Sequence, residues 1–401
     1  MTQAREYLSF DPSSCGFPAA RAPVLPLPGW QSFHWQRQDP IAALLDAPNA
    51  RFYSRGRYAL TQAFRLCGVG PDRPLLVPAY HCRTMLDPAI SLGAGVTLYP
   101  LRPDLQPDLD ALEQLLRQQP RRHAALLATH FFGFEQALDA VEDLCNRHGI
   151  ALVEDCSHAM FLPSLPGRIG KRGRYVVASP YKFFAIEDGG ILWANHGAPL
   201  PEQDAQAPAW LKQCKGAARA LQKARSHCAR AAGAPNDLPA HTGATRTGAA
   251  PAGLHRRHSS SGTSHLYDTS AENDAGLQVS RQLMLRSDIH RITQRRQHNY
   301  QAWIRAVAGM PHCRALYTSV APDCVPYMFP LWIAHPDTHF AALKQRGLPV
   351  WRWDDMAVSD CPSAMQYRTH LLHLPCHQEL TRGQLDWMIR AATLALSEDA
   401  R

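Results

Sequence analysis

Six short apolar runs constrain the fold more than any other feature. They are residues 75–77, 96–99, 124–129, 151–154, 175–178 and 191–194. None alternates apolar with polar residues, which is the pattern of strands buried on both faces. Helical stretches fall between them: 84–92, 108–118 (ended before Pro120), and 136–148 (capped by Gly149). Strand and helix in alternation predict an α/β protein with a mostly parallel central sheet in a large domain. In such sheets functional groups gather beyond the carboxyl ends of the strands. Asp155 and His130 both stand at such ends.

The rest of the chain reads in three further parts. Residues 1–50 are Pro-rich and irregular, with a short helix at 40–45, and are expected to form an arm over a neighbouring domain or subunit. Residues 51–200 are the large domain. A helix is expected to start within residues 52–60 and to run to about residue 66. Gly56 lies at its N-terminus, where unpaired backbone N–H groups favour an anion, and Arg55 and Arg57 add charge. Taken alone, a glycine there is also a plain cap. Residues 276–401 form a smaller α+β C-terminal domain. It comprises one long helix over 279–307, a strand over 325–333, a helix over 338–346 ended by Gly347, a strand over 348–353, and a last amphipathic helix over 381–396 capped by Thr381. Pro326 and Pro330 place the 325–333 strand at an edge.

Residues 201–275 differ in kind. Between Ala229 and Ser264 only Leu238 and Leu254 are apolar and larger than Ala or Pro. Such a segment buries too little surface to offset its ordering entropy, so a low-complexity, basic, disordered insert is expected, with a basic helix over 210–232. The net charge is +8, and residues 211–265 carry nine Lys and Arg against the single acid Asp237. The excess is thus confined to the insert, and composition does not imply a nucleic-acid patch on the folded body. The 11 cysteines occur singly, without a C-x-x-C pair. That spacing points to neither a disulfide framework nor a zinc ribbon. No apolar run reaches a membrane-spanning length and no basic-then-apolar leader opens the chain, so a cytoplasmic protein is expected.

The chemistry-bearing stretches are Thr129-His130-Phe131-Phe132-Gly133, then residues 148–155 ending in Val153-Glu154-Asp155, then His158, Ser179-Pro180-Tyr181-Lys182 and Asp188-Gly189-Gly190. A carboxylate at a strand mouth with a lysine in a nearby turn suggests a cofactor held by charge and by a Schiff base. In this order, with Val77-Pro78-Ala79-Tyr80 before them and Leu374-Pro375 after, these residues resemble the DegT/DnrJ/StrS-type aminotransferases. That family uses pyridoxal 5'-phosphate (PLP) and has the aspartate-aminotransferase fold, fold type I. The resemblance implies a PLP-binding domain over 51–200 and a homodimer with sites at the interface. It implies that Lys182 holds the cofactor aldehyde and moves protons, that Asp155 faces the pyridine nitrogen, and that His158 contacts the ring hydroxyl. Ser179, Gly56 and the helix start after it, where Arg57 replaces a small hydroxyl residue, would bind the phosphate. Cys82 stands where the family has a ring-stacking aromatic, so Tyr80 or His81 is expected to take that role. The implied reaction moves an amino group from an amino acid donor to a keto acceptor, by resemblance a nucleotide-linked keto-sugar. Asp155 and Lys182 would serve equally in another fold-type-I enzyme, a lyase or an aldolase, and the fold alone would serve in a non-catalytic binding protein.

Overall fold

The sequence folds into two apolar cores joined by long connections, seen in a computed structural model that describes residues 5–119, 122–202, 210–232 and 255–397. The chain begins with strand β1 (Glu6–Phe10), helix α1 (Asp39–Leu45), β2 (Ala50–Tyr53) and α2 (Gly56–Leu66). It continues through β3 (Leu75–Pro78), α3 (Arg83–Ser91), β4 (Val96–Tyr99), α4 (Leu109–Gln118), β5 (Ala125–Thr129) and α5 (Asp139–His148). Next come β6 (Ala151–Cys156), β7 (Tyr175–Ala178), β8 (Gly190–Ala194), α6 (Trp210–Ala232) and β9 (His255–Ser259). Then α7 (Gln278–Leu285), α8 (Ile289–Val307), β10 (Cys313–Ala315), β11 (Met328–Ile333) and α9 (Pro336–Gln345) follow. The chain closes with β12 (Met356–Ala357), α10 (Pro362–His370), β13 (Leu371–Pro375) and α11 (Arg382–Ser397).

The large sheet has the order β2-β8-β7-β6-β5-β3-β4. Its pairs from β4 to β7 are parallel, while β8 runs antiparallel to both β7 and β2. Every residue of β3, β4, β5 and β7 is buried, as their unbroken apolar runs require. Helix ends follow local chemistry. Asp108 accepts a hydrogen bond from Ala111 N at the start of α4, and Gly149 closes α5 with φ 65°. Thr381 Oγ1 accepts from Gln384 N, and Gln384 Oε1 accepts from Thr381 N, a reciprocal cap at the start of the last helix.

Several expectations fail for identifiable reasons. The helix expected to start within residues 52–60 does so only at Gly56 and runs to Leu66, because residues 50–53 are strand β2, paired with β8 from Ala50–Trp193 to Tyr53–Gly190. The long helix over 279–307 is two helices. Arg286 O accepts from His34 N, Ser287 bridges Phe33, and Asp288 caps α8, so the arm interrupts the helical ladder. Strand β11 lies at the centre of the sheet β10-β11-β13, not at an edge. Pro330 is tolerated because its carbonyl takes the rung from Leu316 N and its missing N–H ends the β10 ladder there. Residues 348–353 form no strand; only Trp351 bridges His373.

The arm is woven into the fold, since β1 is the middle strand between β12 and β9. The basic helix expected over 210–232 is α6, and disorder over the rest of 201–275 is corrected for residues 255–275; residues 203–209 and 233–254 lie outside the described ones. Strand β9 pairs with β1 through five residues, so backbone hydrogen bonds replace the apolar side chains it lacks. A single aromatic, Tyr267, is buried against Tyr58, and its hydroxyl meets Thr61 Oγ1 and Glu272. Asp87, in α3, accepts from the backbone and hydroxyl of Ser264.

Candidate active site

Asp155 lies in β6, between Thr129 of β5 and Val177 of β7, inside the strand rather than past it. It is 1% exposed, and its Oδ1 accepts from Ser157 N at 2.8 Å, a local turn that fixes the carboxylate. Strand β7 ends one residue before Ser179, whose carbonyl accepts from Lys182 N in a tight turn over 180–182. Asp155, Ser157, His158, Ser179 and Lys182 consequently line one cavity, together with Gly56 and Arg57 at the start of α2. The carboxyl ends of β6 and β7 thus gather the acid and the lysine, as the topology demands.

Glycines make this approach feasible. A Cβ on Gly56 would stand 2.1 Å from Ser179 Oγ, so no other residue leaves that hydroxyl its place. A Cβ on Gly190 would stand 2.2 Å from Arg55 O, which explains the Gly-Gly pair that lets β8 lie against the start of α2. Ser179 Oγ donates to Ser157 Oγ at 3.0 Å. Two hydroxyls, a helix N-terminus and Arg57 form a cradle suited to an anion.

His158 is buried against the rings of Tyr327, Trp353 and Phe132, at 4.5, 5.1 and 5.9 Å. Burial, and then the positive charge of Lys182, hold its imidazole well below the ordinary histidine range. Its Nδ1 and the hydroxyl of Thr129 are buried without a partner. The Lys182 ammonium stands 5.5 Å from the centre of the Tyr327 ring. Its backbone is braced from the C-terminal part: Arg296, fully buried in α8, donates to Lys182 O at 2.8 Å. The same guanidinium donates to Pro326 O, Tyr327 O and Gln378 Oε1, and Gln378 in turn donates to Phe183 O. Burial pulls the Arg296 pKa down to about 10.

Tyr80 and His81 do not line the cavity, which corrects their expected place at the ring. Tyr80 is fully buried, hydrogen-bonded to His373 Nε2 at 2.9 Å and packed 4.6 Å from Trp353. His81 turns its Nδ1 to the carbonyls of Pro78 and Ala79, and its Nε2 accepts from Ala357 N. Cys82 reaches the cavity instead, as does Trp353 from the C-terminal part. Burial pushes the Cys82 thiol up despite the nearby Lys182. His130 is a buttress. Its Nε2 meets Glu154 Oε2 at 2.9 Å and its Nδ1 accepts from Gln136 N. His130, Glu154 and Cys156 cluster, yet Glu154 already accepts from the backbone N–H groups of Gly170, Arg172 and Gly173, which leaves a metal little to bind.

Tyr327, Trp353 and Arg296 were not singled out from the sequence, and Thr129 was quoted only as the head of its motif, with no role of its own. Thr129 had a usable signal, since it ends a parallel strand next to Asp155. Trp353 and Tyr327 had none, because they come from irregular segments.

Residues 38–202 match the model of the DegT/DnrJ/EryC1/StrS aminotransferase family, so the resemblance read from the motifs holds. One relative, the dTDP-3-amino-3,4,6-trideoxy-alpha-D-glucose transaminase of Streptomyces venezuelae, is 33% identical over 157 residues, which is 38% of this chain and 40% of that protein. Across six curated relatives, the chain spans between 34% and 47% of their length. Solved structures are similar over far more of the chain. DesV of S. venezuelae, in complex with a ketimine intermediate, has a TM-score of 0.59 at 20% identity, covering 89% of this chain and 87% of that one. Spr1654 of Streptococcus pneumoniae, in its PLP form, has a TM-score of 0.61 at 14% identity, covering 92% and 93%. The chain has the fold of the fold-type-I aminotransferases.

Proposed function

We propose that this chain, which matches the DegT/DnrJ/EryC1/StrS family over residues 38–202, is a PLP-dependent aminotransferase. It moves an amino group from an amino acid donor to a keto acceptor; two relatives are named for nucleotide-linked amino sugars, which supports a nucleotide-linked keto-sugar, while four are named for scyllo-inosose or its derivatives, a keto-cyclitol class. One observation carries the reading: a buried carboxylate, Asp155, and a lysine, Lys182, line one cavity whose other side is the anion cradle of Gly56, Ser157 and Ser179. The residues fit the cofactor by their donor chemistry. The cradle suits a phosphate, and the unpartnered His158 Nδ1 and Thr129 Oγ1 are buried polar atoms that a polar ring would satisfy.

When bound, PLP supplies an aldehyde carbon and an electron-accepting ring. Asp155 would hold a proton on the ring nitrogen, with its carboxylate fixed by Ser157 N. Lys182 would hold the cofactor covalently through Nζ and then, as a free amine, take and return one proton at the reacting carbon. His158, kept uncharged by burial, would orient the ring and would add no second cation beside Lys182. Trp353 would exclude water from the C-terminal side of the cavity. The large domain over 51–200 would carry the cofactor and the part from 276 onward would cover it. No helix among the described residues is long and apolar enough to cross a membrane. A cytoplasmic homodimer, with no nucleic-acid partner, completes the reading.

Absorption spectroscopy tests it. Protein incubated with PLP should acquire a visible band that disappears on adding glutamate without any acceptor. A protein that takes up no PLP at excess overturns the reading. A band that persists with every amino donor overturns the transaminase assignment but not the binding.

A further inference from the structure

Three histidines meet in the C-terminal part, outside the cavity of Lys182. His335 caps α9 and His339 lies one turn later, so the two share a helix face. His312 precedes β10, and its carbonyl accepts from Ala334 N at 2.9 Å, which sets it beside His335. The ring centres form a nearly regular triangle: 5.3 Å between His312 and His335, 5.3 Å between His335 and His339, and 5.8 Å between His312 and His339.

That triangle has the size of a three-histidine metal site. A metal–nitrogen bond of about 2.0–2.1 Å, extended by about 1.1 Å to the ring centre, at a tetrahedral angle places ring centres about 5.2 Å apart. His339 is an independent sign. It is 0% exposed, and neither of its ring nitrogens has a hydrogen-bond partner. A buried imidazole with both nitrogens unsatisfied calls for a ligand or for another explanation. The rings are inclined to one another by 47–72°, and the nitrogens do not converge in the present torsions, so binding requires the rings to turn about χ2.

We propose that His312, His335 and His339 bind one divalent transition-metal ion through their imidazole nitrogens. An all-nitrogen donor set selects zinc, nickel or copper over magnesium or calcium, which need oxygen ligands. Three protein ligands leave a fourth position, and His335 is exposed, so solvent completes the shell from that side. The site stands apart from the proposed amino-transfer chemistry and does not depend on it.

The test uses the full chain, stripped with a chelator and titrated with Zn2+. Calorimetry and metal analysis should show one tight zinc ion per chain. His335→Ala and His312→Gln should each weaken it by at least about 100-fold, the upper end of what losing even an outer-shell partner costs. His335 is exposed, so its variant should keep its near-ultraviolet circular dichroism. His312→Gln serves if it does not. Co2+ in place of zinc should give visible d–d bands without thiolate charge transfer. Zinc bound equally well by the wild type and both variants overturns the proposal, as does thiolate charge transfer or the absence of uptake by the folded wild type.

Discussion

The cavity has two walls of different origin. One is drawn from residues 55–182, and its polar contributors stand near a strand end or a helix start. The other is Trp353, from an irregular segment of the C-terminal part, with Tyr327 packed on His158 and Arg296 of α8 bracing the Lys182 turn behind it. The first wall coincides with the family match over 38–202, while structural similarity extends over about nine tenths of the chain. Chemistry written into local motifs is retained as sequence. A wall that supplies shape, burial and backbone support is retained as fold, since many side chains of similar volume can do that work.

The largest effect should fall on the first wall. Lys182→Ala is expected to abolish any borohydride-trapped adduct with PLP and to slow the donor half-reaction at least about 10⁴-fold. An adduct that persists at another lysine would move the chemistry elsewhere. Next comes the second wall. Arg296→Met should leave PLP contacts on the first wall in place but strand the carbonyls of Lys182, Pro326 and Tyr327. A loss of about 3 kcal/mol or more is expected in urea unfolding. An unchanged midpoint would show that the second wall is passive cover.

A third prediction joins both walls. His81 on one side is held at about 4 by burial, His373 on the other at about 3, and His158 well below its ordinary value. All three are uncharged when folded and take up protons when unfolded below pH ~6.5. Their stabilisation is therefore complete above that pH and is lost as pH falls, toward about 4 for His81 and about 3 for His373. Each should add to the slope of unfolding free energy an amount that rises from about 0.7 kcal/mol per pH unit at pH ~6.5 toward about 1.4 near pH ~5. The His373→Gln variant should remove one such share, and an unaltered slope would contradict its buried neutral state. The smallest effect is expected for Tyr80→Phe. It removes one hydrogen bond to His373 and should cost about 1 kcal/mol without changing PLP affinity. A loss of PLP affinity would return Tyr80 to the ring-binding role the structure denies it.

Particular residues show what was legible in the sequence. Asp155, Lys182 and Gly56 could be read because parallel strands end at the same side of a sheet, and sequence order therefore becomes spatial order. Tyr80 and His81 were misplaced because the turn from β3 into α3 alternates side-chain direction, and only Cys82 points to the cavity. The break between α7 and α8 was hidden, since it comes from the arm residues Ser32, Phe33 and His34. Strand β9 was hidden for a related reason. Its order comes from the edge of β1, some 250 residues earlier in the chain, and composition carries no trace of that pairing.

The brace on the Lys182 turn also sets a schedule for biosynthesis. Its two donors, Arg296 to Lys182 O and Gln378 to Phe183 O, lie 114 and 195 residues downstream of the groups they hold. A growing chain on the ribosome can assemble the parallel sheet early, from near-neighbour strands. It cannot fully secure the lysine until residue 378 has been synthesised. A polypeptide released before residue 378 would carry every motif of the first wall and still leave that turn unheld.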